Sequence, residues 1–142
     1  MKISLIIVTY NRPKALSLIL KSIERQKILP DEVVLADDGS GKETLEMVQN
    51  FQKKFPVPLH HVWHEDKGFR AAGIRNRAIK SSSGDYLIFS DGDLFFNPGF
   101  VGDFKRTAKP GEALIGSRVF LKQSASAERI SNQNCKPIFF PF

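Results

Sequence analysis

The stretch that decides the fold is ISLIIVTYNRP, residues 3–13. Its first part, Ile3–Thr9, is a β-branched run of the kind found in a strand that is buried on both faces. Asn11 offers a side chain that can cap a helix, and Pro13 lies in the first turn of the helix that follows. Because the next apolar residues recur at helical spacing, the stretch predicts a buried strand followed at once by an amphipathic helix over residues 12–26.

Strands and helices continue to alternate beyond this stretch, with short connections between them. The predicted strands are Glu32–Ala36, Leu59–Trp63, Tyr86–Phe89 and a run near 113–120; the predicted helices are 43–54, 69–80 and 98–106. Such alternation is typical of an α/β protein with a mostly parallel sheet flanked by helices, in which ligands bind beyond the carboxyl ends of the strands. Polar clusters follow three of these strands, namely Thr9-Tyr10-Asn11, Asp37-Asp38-Gly39-Ser40 and Asp91-Gly92-Asp93. We therefore expect three loops to converge on one edge of the sheet.

Length and composition limit the classes of protein to consider. A chain of 142 residues, 42% hydrophobic and 25% charged, suits one compact soluble domain and is unlike a disordered chain or a coiled coil. The formal charge of +6, from 21 Lys+Arg against 15 Asp+Glu, favours an anionic partner: nucleic acid, an acidic membrane face or a phosphorylated small molecule. Nucleic acid is disfavoured, because the basic residues are dispersed and no recognised motif interleaves them with stacking aromatics. The single cysteine, Cys135, excludes an internal disulfide and, with the shortness of the apolar runs, indicates a cytoplasmic protein.

Asp91-Gly92-Asp93 is the most informative of the polar clusters. Two carboxylates separated by one residue at a strand end can hold a hard divalent cation and leave coordination positions open for diphosphate oxygens. The glycine between them would let the backbone approach a ligand closely. The alternative is an ordinary Asp-Gly turn without a metal. A calcium-binding loop is excluded, because Phe95 and Phe96 occupy positions where such a loop needs a ligand and a turn glycine.

The other two polar clusters each have a functional and a structural interpretation. Asp37-Asp38-Gly39-Ser40 can accept hydrogen bonds from a nucleobase or ribose, or can form a turn that caps the next helix. Thr9-Tyr10-Asn11-Arg12 can supply an aromatic face for a base and a cation for phosphate, or can be only a strand end and an N-cap. The residues alone leave both pairs of interpretations open.

Cationic side chains and histidines gather around the third predicted helix and the strand before it. The basic residues are Lys67, Arg70, Arg75 and Arg77. They can neutralise phosphate groups, or at least two of them can form only the solvated flank of the helix. The histidines, which are His60, His61 and His64, are not expected to share a metal, because two of them point to opposite sides of a strand.

Five segments occur in a fixed order along the chain. They are IIVTYNRP (6–13), ADDGS (36–40), WHEDKGFR (63–70), IRNRAI (74–79) and GDYLIFSDGD (84–93). This series resembles the family 2 glycosyltransferases, and the HEDKGFR-to-IRNRA stretch with Gly116-Ser117-Arg118 is similar to the branch that makes bacterial surface polysaccharides. The resemblance implies an α/β fold of the GT-A type, which is Rossmann-like, with a nucleotide-sugar-binding half over residues 1–120. The sheet would be incomplete at its C-terminus, and residues 121–142 would be a polar, then apolar tail that is truncated or poorly ordered.

The resemblance also implies roles for single residues. The expected nucleotide-binding residues are Thr9, Tyr10, Arg12, Asp38, Lys67, Arg75, Asp91 and Gly92, and the expected metal ligands are Asp91 and Asp93. Thr9 and Tyr10 match the family's first nucleotide-contacting loop. Asp38 matches the aspartate that bonds the uracil or ribose, and Arg75 matches a basic residue near the nucleotide. Asp93 would be the principal ligand of Mn²⁺ or Mg²⁺ in the DxD motif.

The implied reaction is the transfer of a sugar from a nucleotide-sugar, a UDP-hexose, to a saccharide or a lipid-linked glycan by an inverting mechanism. A metal and nearby cations would stabilise the leaving nucleoside diphosphate. Glycan assembly of this kind is compatible with peripheral association at the inner face of the membrane. An inverting transfer needs a carboxylate base, and no segment after Ser126 matches the Glu-Asp motif that supplies the base in this branch. Because Glu128-Arg129 is not such a pair, we expect the donor half without the base.

Two alternatives stand beside this interpretation. The chain can be a catalytically inactive remnant that binds a nucleotide-sugar without transferring it. A sugar nucleotidyltransferase shares the α/β layout, but Tyr10-Asn11-Arg12-Pro13 is not the glycine-rich, basic loop that such an enzyme carries after its first strand.

Overall fold

The computed structural model describes residues 1–137. Its elements are β1 (Ile3–Thr9), α1 (Pro13–Glu24), β2 (Glu32–Asp37), α2 (Lys42–Gln52), β3 (Leu59–Trp63), α3 (Ala71–Ser81), β4 (Tyr86–Asp91), α4 (Phe100–Thr107) and α5 (Gln123–Ser131). The first four strands and helices follow the predicted order and lie close to their predicted bounds. Among residues 1–137, no helix combines the length and the apolar character that a bilayer crossing needs.

The four strands form one parallel sheet in the order β3-β2-β1-β4. β1 is central because its β-branched residues are buried on both faces, as its sequence predicts. One face, which includes Leu5 and Leu35, packs against α1 and α2, whereas the other, which includes Ile6, packs against Ile74 and Ala78 of α3. Helices on both faces of a parallel sheet confirm the predicted α/β class.

The run near 113–120 does not form the predicted strand. Residues 112–122 have no regular structure, and Ile115 is 97% exposed. A short apolar segment forms a strand only where it pairs with a neighbouring strand, and here a cavity of about 1030 Å³ lies between this segment and β4. Within residues 1–137, β1 is therefore the one strand that pairs with β4.

Residues 123–131, for which the sequence pattern predicts no helix, form α5. No residue of this helix is buried, so it lacks the apolar face that a periodic pattern would reveal. The turn that follows it is held to α1 by Gln133, whose side chain accepts a hydrogen bond from Ser17 and donates one to the Lys14 carbonyl. The apolar run 138–142 lies outside the described residues.

Candidate functional site

The loops that follow β1 and β2 interlock at the carboxyl edge of the sheet. The Asn11 backbone N–H donates to Ser40 Oγ at 2.8 Å, and Asn11 Oδ1 accepts from the Gly41 backbone N–H at 2.9 Å. The Asp38 backbone N–H donates to the Thr9 carbonyl at 3.0 Å. Asn11 was predicted as the N-cap of α1, and that prediction is wrong. It takes the left-handed conformation, with φ 47°, and its side chain bonds the β2 loop, while Arg12 occupies the N-cap position.

The loop that follows β3 crosses the same edge. Tyr10 Oη donates to Asp66 Oδ2 at 2.9 Å, and this hydrogen bond, together with the negative charge of Asp66, raises the pKa of Tyr10. Gly39 makes the crossing possible, because its φ is +103° and an added Cβ would lie 2.6 Å from Asp66 Cα. Sequence reasoning missed Asp66, because its partner Tyr10 lies 56 positions away and no local pattern joins them.

Asp37 and Asp38 are neighbours in sequence with different surroundings. Asp37 is fully buried and accepts hydrogen bonds from the Ser40 backbone N–H at 2.8 Å and from His61 Nε2 at 2.8 Å. Burial alone would raise the pKa of Asp37, but these hydrogen bonds outweigh it and lower the pKa. The structural interpretation of the cluster, a turn held by an aspartate, therefore applies to Asp37.

Asp38 takes part in a different set of contacts. Its Oδ1 lies 2.6 Å from His64 Nε2, and its Oδ2 accepts from the Arg70 backbone N–H at 2.9 Å. Arg70 is the residue before α3, so Asp38 joins the ends of β2 and β3 to the start of that helix. The three histidines do not lie together. His60 Nε2 is 3.4 Å from Glu32 Oε2, and Glu32 is at the amino end of β2.

The Asp91-Gly92-Asp93 turn lies at the same edge of the sheet, at the end of β4, which pairs with β1 on the side away from β2. Arg75 of α3 donates from an NH2 group to Asp91 Oδ1 at 3.1 Å, and both side chains are partly exposed. Asp93 is exposed and lines the cavity together with Arg12. A Cβ on Gly92 would lie 2.4 Å from the Val8 carbonyl oxygen. A glycine at this position thus allows the end of β4 to pack closely against β1.

α1 fixes the segment that follows Asp93. Ser22 Oγ accepts from the Phe96 backbone N–H at 3.1 Å. The buried Gln26 side chain donates to the Asn97 carbonyl at 2.8 Å and accepts from the Val101 backbone N–H at 3.0 Å. Hydrogen bonds from Ser22 and Gln26 therefore fix the segment that follows Asp93. No sequence motif predicts these contacts.

The structure divides the predicted site residues into two groups. Those at the carboxyl edge of the sheet and its adjoining loops are Thr9, Tyr10, Arg12, Asp38, Arg75, Asp91, Gly92 and Asp93. Lys67 differs from them, because it lies in the exposed loop after β3 and its ammonium is paired with Glu65 at 2.9 Å. Arg70 acts through its backbone on Asp38, and its guanidinium donates to the Glu65 carbonyl.

Two polar atoms near Asp38 are buried without a hydrogen-bond partner, Thr9 Oγ1 and Arg70 Nε. A buried polar group left unpaired costs about 1–3 kcal/mol, so such groups are rare in folded proteins. These two atoms are therefore the least satisfied polar groups at this edge among the described residues.

The donor set at the DGD turn fits a hard cation held jointly with a ligand. Carboxylate oxygens suit Mg²⁺ and Mn²⁺. Within residues 1–137 no three or more His, Cys, Asp or Glu side chains come together to hold an ion. Asp91 and Asp93 therefore match a metal whose other positions are filled by oxygens from elsewhere, such as those of a diphosphate.

Curated relatives match most of this chain but are much longer. The uncharacterized glycosyltransferase YwdF of Bacillus subtilis is 38% identical over 101 residues, which are 71% of this chain and 36% of YwdF. The chondroitin synthase of Escherichia coli is 31% identical over 125 residues, 86% of this chain and 18% of the synthase. The chain thus spans about a third or less of the length of these two relatives.

Solved structures share the fold. TarS 1–349 of S. aureus in complex with UDP-GlcNAc superposes with a TM-score of 0.63 at 30% identity, over 75% of this chain and 30% of TarS 1–349. This similarity identifies the parallel sheet and its helices as a GT-A fold. A family model, Glycosyl transferase family 2, matches residues 4–140, and that range includes every loop at the carboxyl edge of the sheet. On this sequence match and this fold, the chain belongs to glycosyl transferase family 2.

Proposed function

We propose that this chain binds a nucleotide-sugar, a UDP-hexose, at the carboxyl edge of its sheet and serves as the donor site of an inverting glycosyltransferase. The observation that carries the proposal is that the half-exposed Tyr10 ring, the Asp38 carboxylate and the Asp91-Gly92-Asp93 turn all lie at this one edge of the sheet. TarS, a relative at 30% identity, was crystallised with UDP-GlcNAc, which supports the same class of donor here.

The nucleoside would lie over the loops that follow β1 and β2. The Tyr10 ring is 49% exposed and offers a face on which a base can stack. Asp38 can accept a hydrogen bond from an N–H of uracil or from a ribose hydroxyl, and Thr9 Oγ1 can donate or accept one. Together these groups supply both an apolar surface and directional contacts for a nucleoside.

The diphosphate would lie toward the DGD turn. Asp91 and Asp93 would hold Mn²⁺ or Mg²⁺, and the ion would supply Lewis-acid stabilisation of the leaving diphosphate. Arg75, which already contacts Asp91, and Arg12, which lines the same cavity as Asp93, would add positive charge. Lys67 would reach the phosphates only after leaving Glu65.

The acceptor would be a saccharide or a lipid-linked glycan. The chondroitin synthases among the relatives support a glycan acceptor. The net charge of +6 is compatible with peripheral contact with an anionic membrane face, on the cytoplasmic side where nucleotide-sugars are used.

A second candidate function is nucleotide-sugar binding without transfer. It is favoured by one observation: Glu128 is followed by Arg129 rather than by the second acid of a Glu-Asp pair. An inverting transfer needs a carboxylate that reaches the acceptor hydroxyl.

Release of UDP separates the two candidates. The chain is incubated with UDP-GlcNAc or UDP-glucose, Mn²⁺ and a mixture of oligosaccharide acceptors, and free UDP is measured. Turnover supports transfer by this chain and removes the second candidate. Binding of the UDP-sugar without UDP release supports the second candidate, and absence of binding in a folded sample contradicts both.

A further inference from the structure

The buried side chain of His64 contacts Asp38, and the proposed function assigns no role to His64. His64 Nε2 lies 2.6 Å from Asp38 Oδ1, and each of the two side chains is only 5% exposed. The Arg70 backbone N–H donates to the other oxygen, Oδ2, at 2.9 Å. Each carboxylate oxygen of Asp38 thus has one fixed partner, and the plane of the carboxylate is set from two sides.

The remaining hydrogen-bonding capacity of Asp38 follows from this arrangement. A carboxylate oxygen accepts hydrogen bonds in two lone-pair directions, so one direction on each oxygen remains for a ligand. A side chain that is already fixed loses little conformational freedom when a ligand binds, and affinity rises accordingly.

We propose that His64 is a positioning residue for the nucleotide: it orients the Asp38 carboxylate so that its open lone pairs face the nucleoside. The inference rests on the proposed function, since it takes Asp38 as the acceptor for that nucleoside. His64 acts through Asp38 and does not itself touch the ligand.

A second His–Asp pair, in the strands β2 and β3 that precede these two loops, provides an internal comparison. His61 Nε2 lies 2.8 Å from Asp37 Oδ2, but Asp37 is fully buried and its other oxygen accepts from Ser40. The His61–Asp37 contact therefore contributes to folding without facing a ligand. Removing it should cost stability but not nucleotide affinity, which makes His61 the matched control.

Two substitutions of similar polarity test the role of His64. A glutamine amide can place an N–H near the position of Nε2, whereas the shorter asparagine cannot reach Asp38. Calorimetric titrations with UDP in the presence of Mn²⁺, and with UMP in its absence, measure the affinity of each variant. We expect His64→Asn to weaken both ligands by the same factor, about tenfold or more, and His64→Gln to restore affinity to within about threefold of the parent chain.

An equal factor for UDP and UMP places the loss at the nucleoside that both ligands carry, and the comparison with His61→Asn separates this loss from a merely structural role. His61→Asn should lower the Tm and leave both affinities unchanged. Wild-type affinity in His64→Asn, or an equal loss in His64→Gln and His64→Asn, would overturn the role of His64. If the parent chain binds UDP and Asp38→Asn weakens it while His64→Asn does not, the inference alone is wrong. If the folded parent chain binds neither UDP nor UMP, the proposed function is wrong and the inference with it.

Discussion

Single acidic residues at the carboxyl edge acquire different tasks from their surroundings. Asp37 is fully buried and holds the turn after β2 through Ser40, whereas Asp38 contacts His64 and the start of α3. Asp91 is already paired with Arg75, whereas Asp93 has no ion pair within residues 1–137. Of the acids in the Asp91-Gly92-Asp93 turn, Asp93 is thus the one without a salt bridge among the described residues.

The metal dependence of binding tests Asp93. We expect Asp93→Asn to remove most of the affinity for UDP that Mn²⁺ adds, a loss of about tenfold or more, because a neutral amide replaces the more open carboxylate. Titration calorimetry with UDP, with and without Mn²⁺, measures this. Asp103→Asn is the control, since Asp103 is an exposed acid on α4 that pairs with Arg106. An unchanged response to Mn²⁺ in Asp93→Asn would remove Asp93 from the metal site.

At the scale of elements, the sequence pattern predicts the four paired strands but does not predict the contacts between loops. β1 and β2 were predicted because burial on both faces demands continuous β-branched and apolar runs, which are visible in sequence. The run 113–120 is also partly apolar, but a strand there would need a neighbouring strand to pair with, and the sequence pattern does not show whether that partner is present. The contacts of Tyr10 with Asp66 and of Asp38 with His64 join residues 56 and 26 positions apart, and no helical or strand period encodes them.

A substitution at Gly39 tests whether the site depends on the close packing of the loop after β2 against the loop after β3. Gly39→Ala forces a Cβ against the Asp66 backbone at a positive φ, so we expect a loss of about 1–3 kcal/mol in the free energy of unfolding. UDP affinity should fall as well, because the Asp66 contact with Tyr10 shifts. Urea unfolding and UDP titration measure the two effects.

Gly73 provides the matched glycine for that experiment. It lies in α3 with no atom within 4 Å of an added Cβ, so Gly73→Ala should raise stability by up to about 1 kcal/mol and leave UDP affinity unchanged. Equal UDP affinity in Gly39→Ala and the parent chain would show that the loop crossing does not shape the site.

At the scale of the whole molecule, the carboxyl ends and the amino ends of the parallel strands have different roles. The carboxyl edge gathers the proposed binding groups. The opposite edge is held by the buried Glu32, whose carboxylate accepts hydrogen bonds from the Ser4 hydroxyl and from the Ser83 backbone and hydroxyl. Glu32 thereby ties the starts of β1 and β2 to the connection that leads into β4, far along the strands from the nucleotide.

The acid sensitivity of folding tests this division. Burial alone would raise the pKa of Glu32, but its hydrogen bonds lower it below the ordinary 4.5. A lowered folded-state pKa means that the stabilisation is complete above pH 4.5 and is lost as the pH falls through the folded-state value. Glu32→Gln should therefore lower the free energy of unfolding by about 1–3 kcal/mol at neutral pH, and by less in acid.

Urea unfolding at neutral and acidic pH measures that difference. Glu46→Gln is the control, because Glu46 is an exposed helix residue whose partner is Lys42. Asp37 also has a lowered pKa, but it is present in both chains, so the difference between them isolates Glu32. A stability deficit that does not shrink in acid, or a loss of UDP affinity in Glu32→Gln, would contradict the separation of the two edges.

The central claim is that the carboxyl edge of this sheet binds a nucleotide together with a metal. Calorimetric titration of the chain with UDP, with and without Mn²⁺, tests it most directly. The account predicts one UDP per chain, bound about tenfold or more tightly when Mn²⁺ is present. A folded sample that binds no UDP under either condition would contradict it.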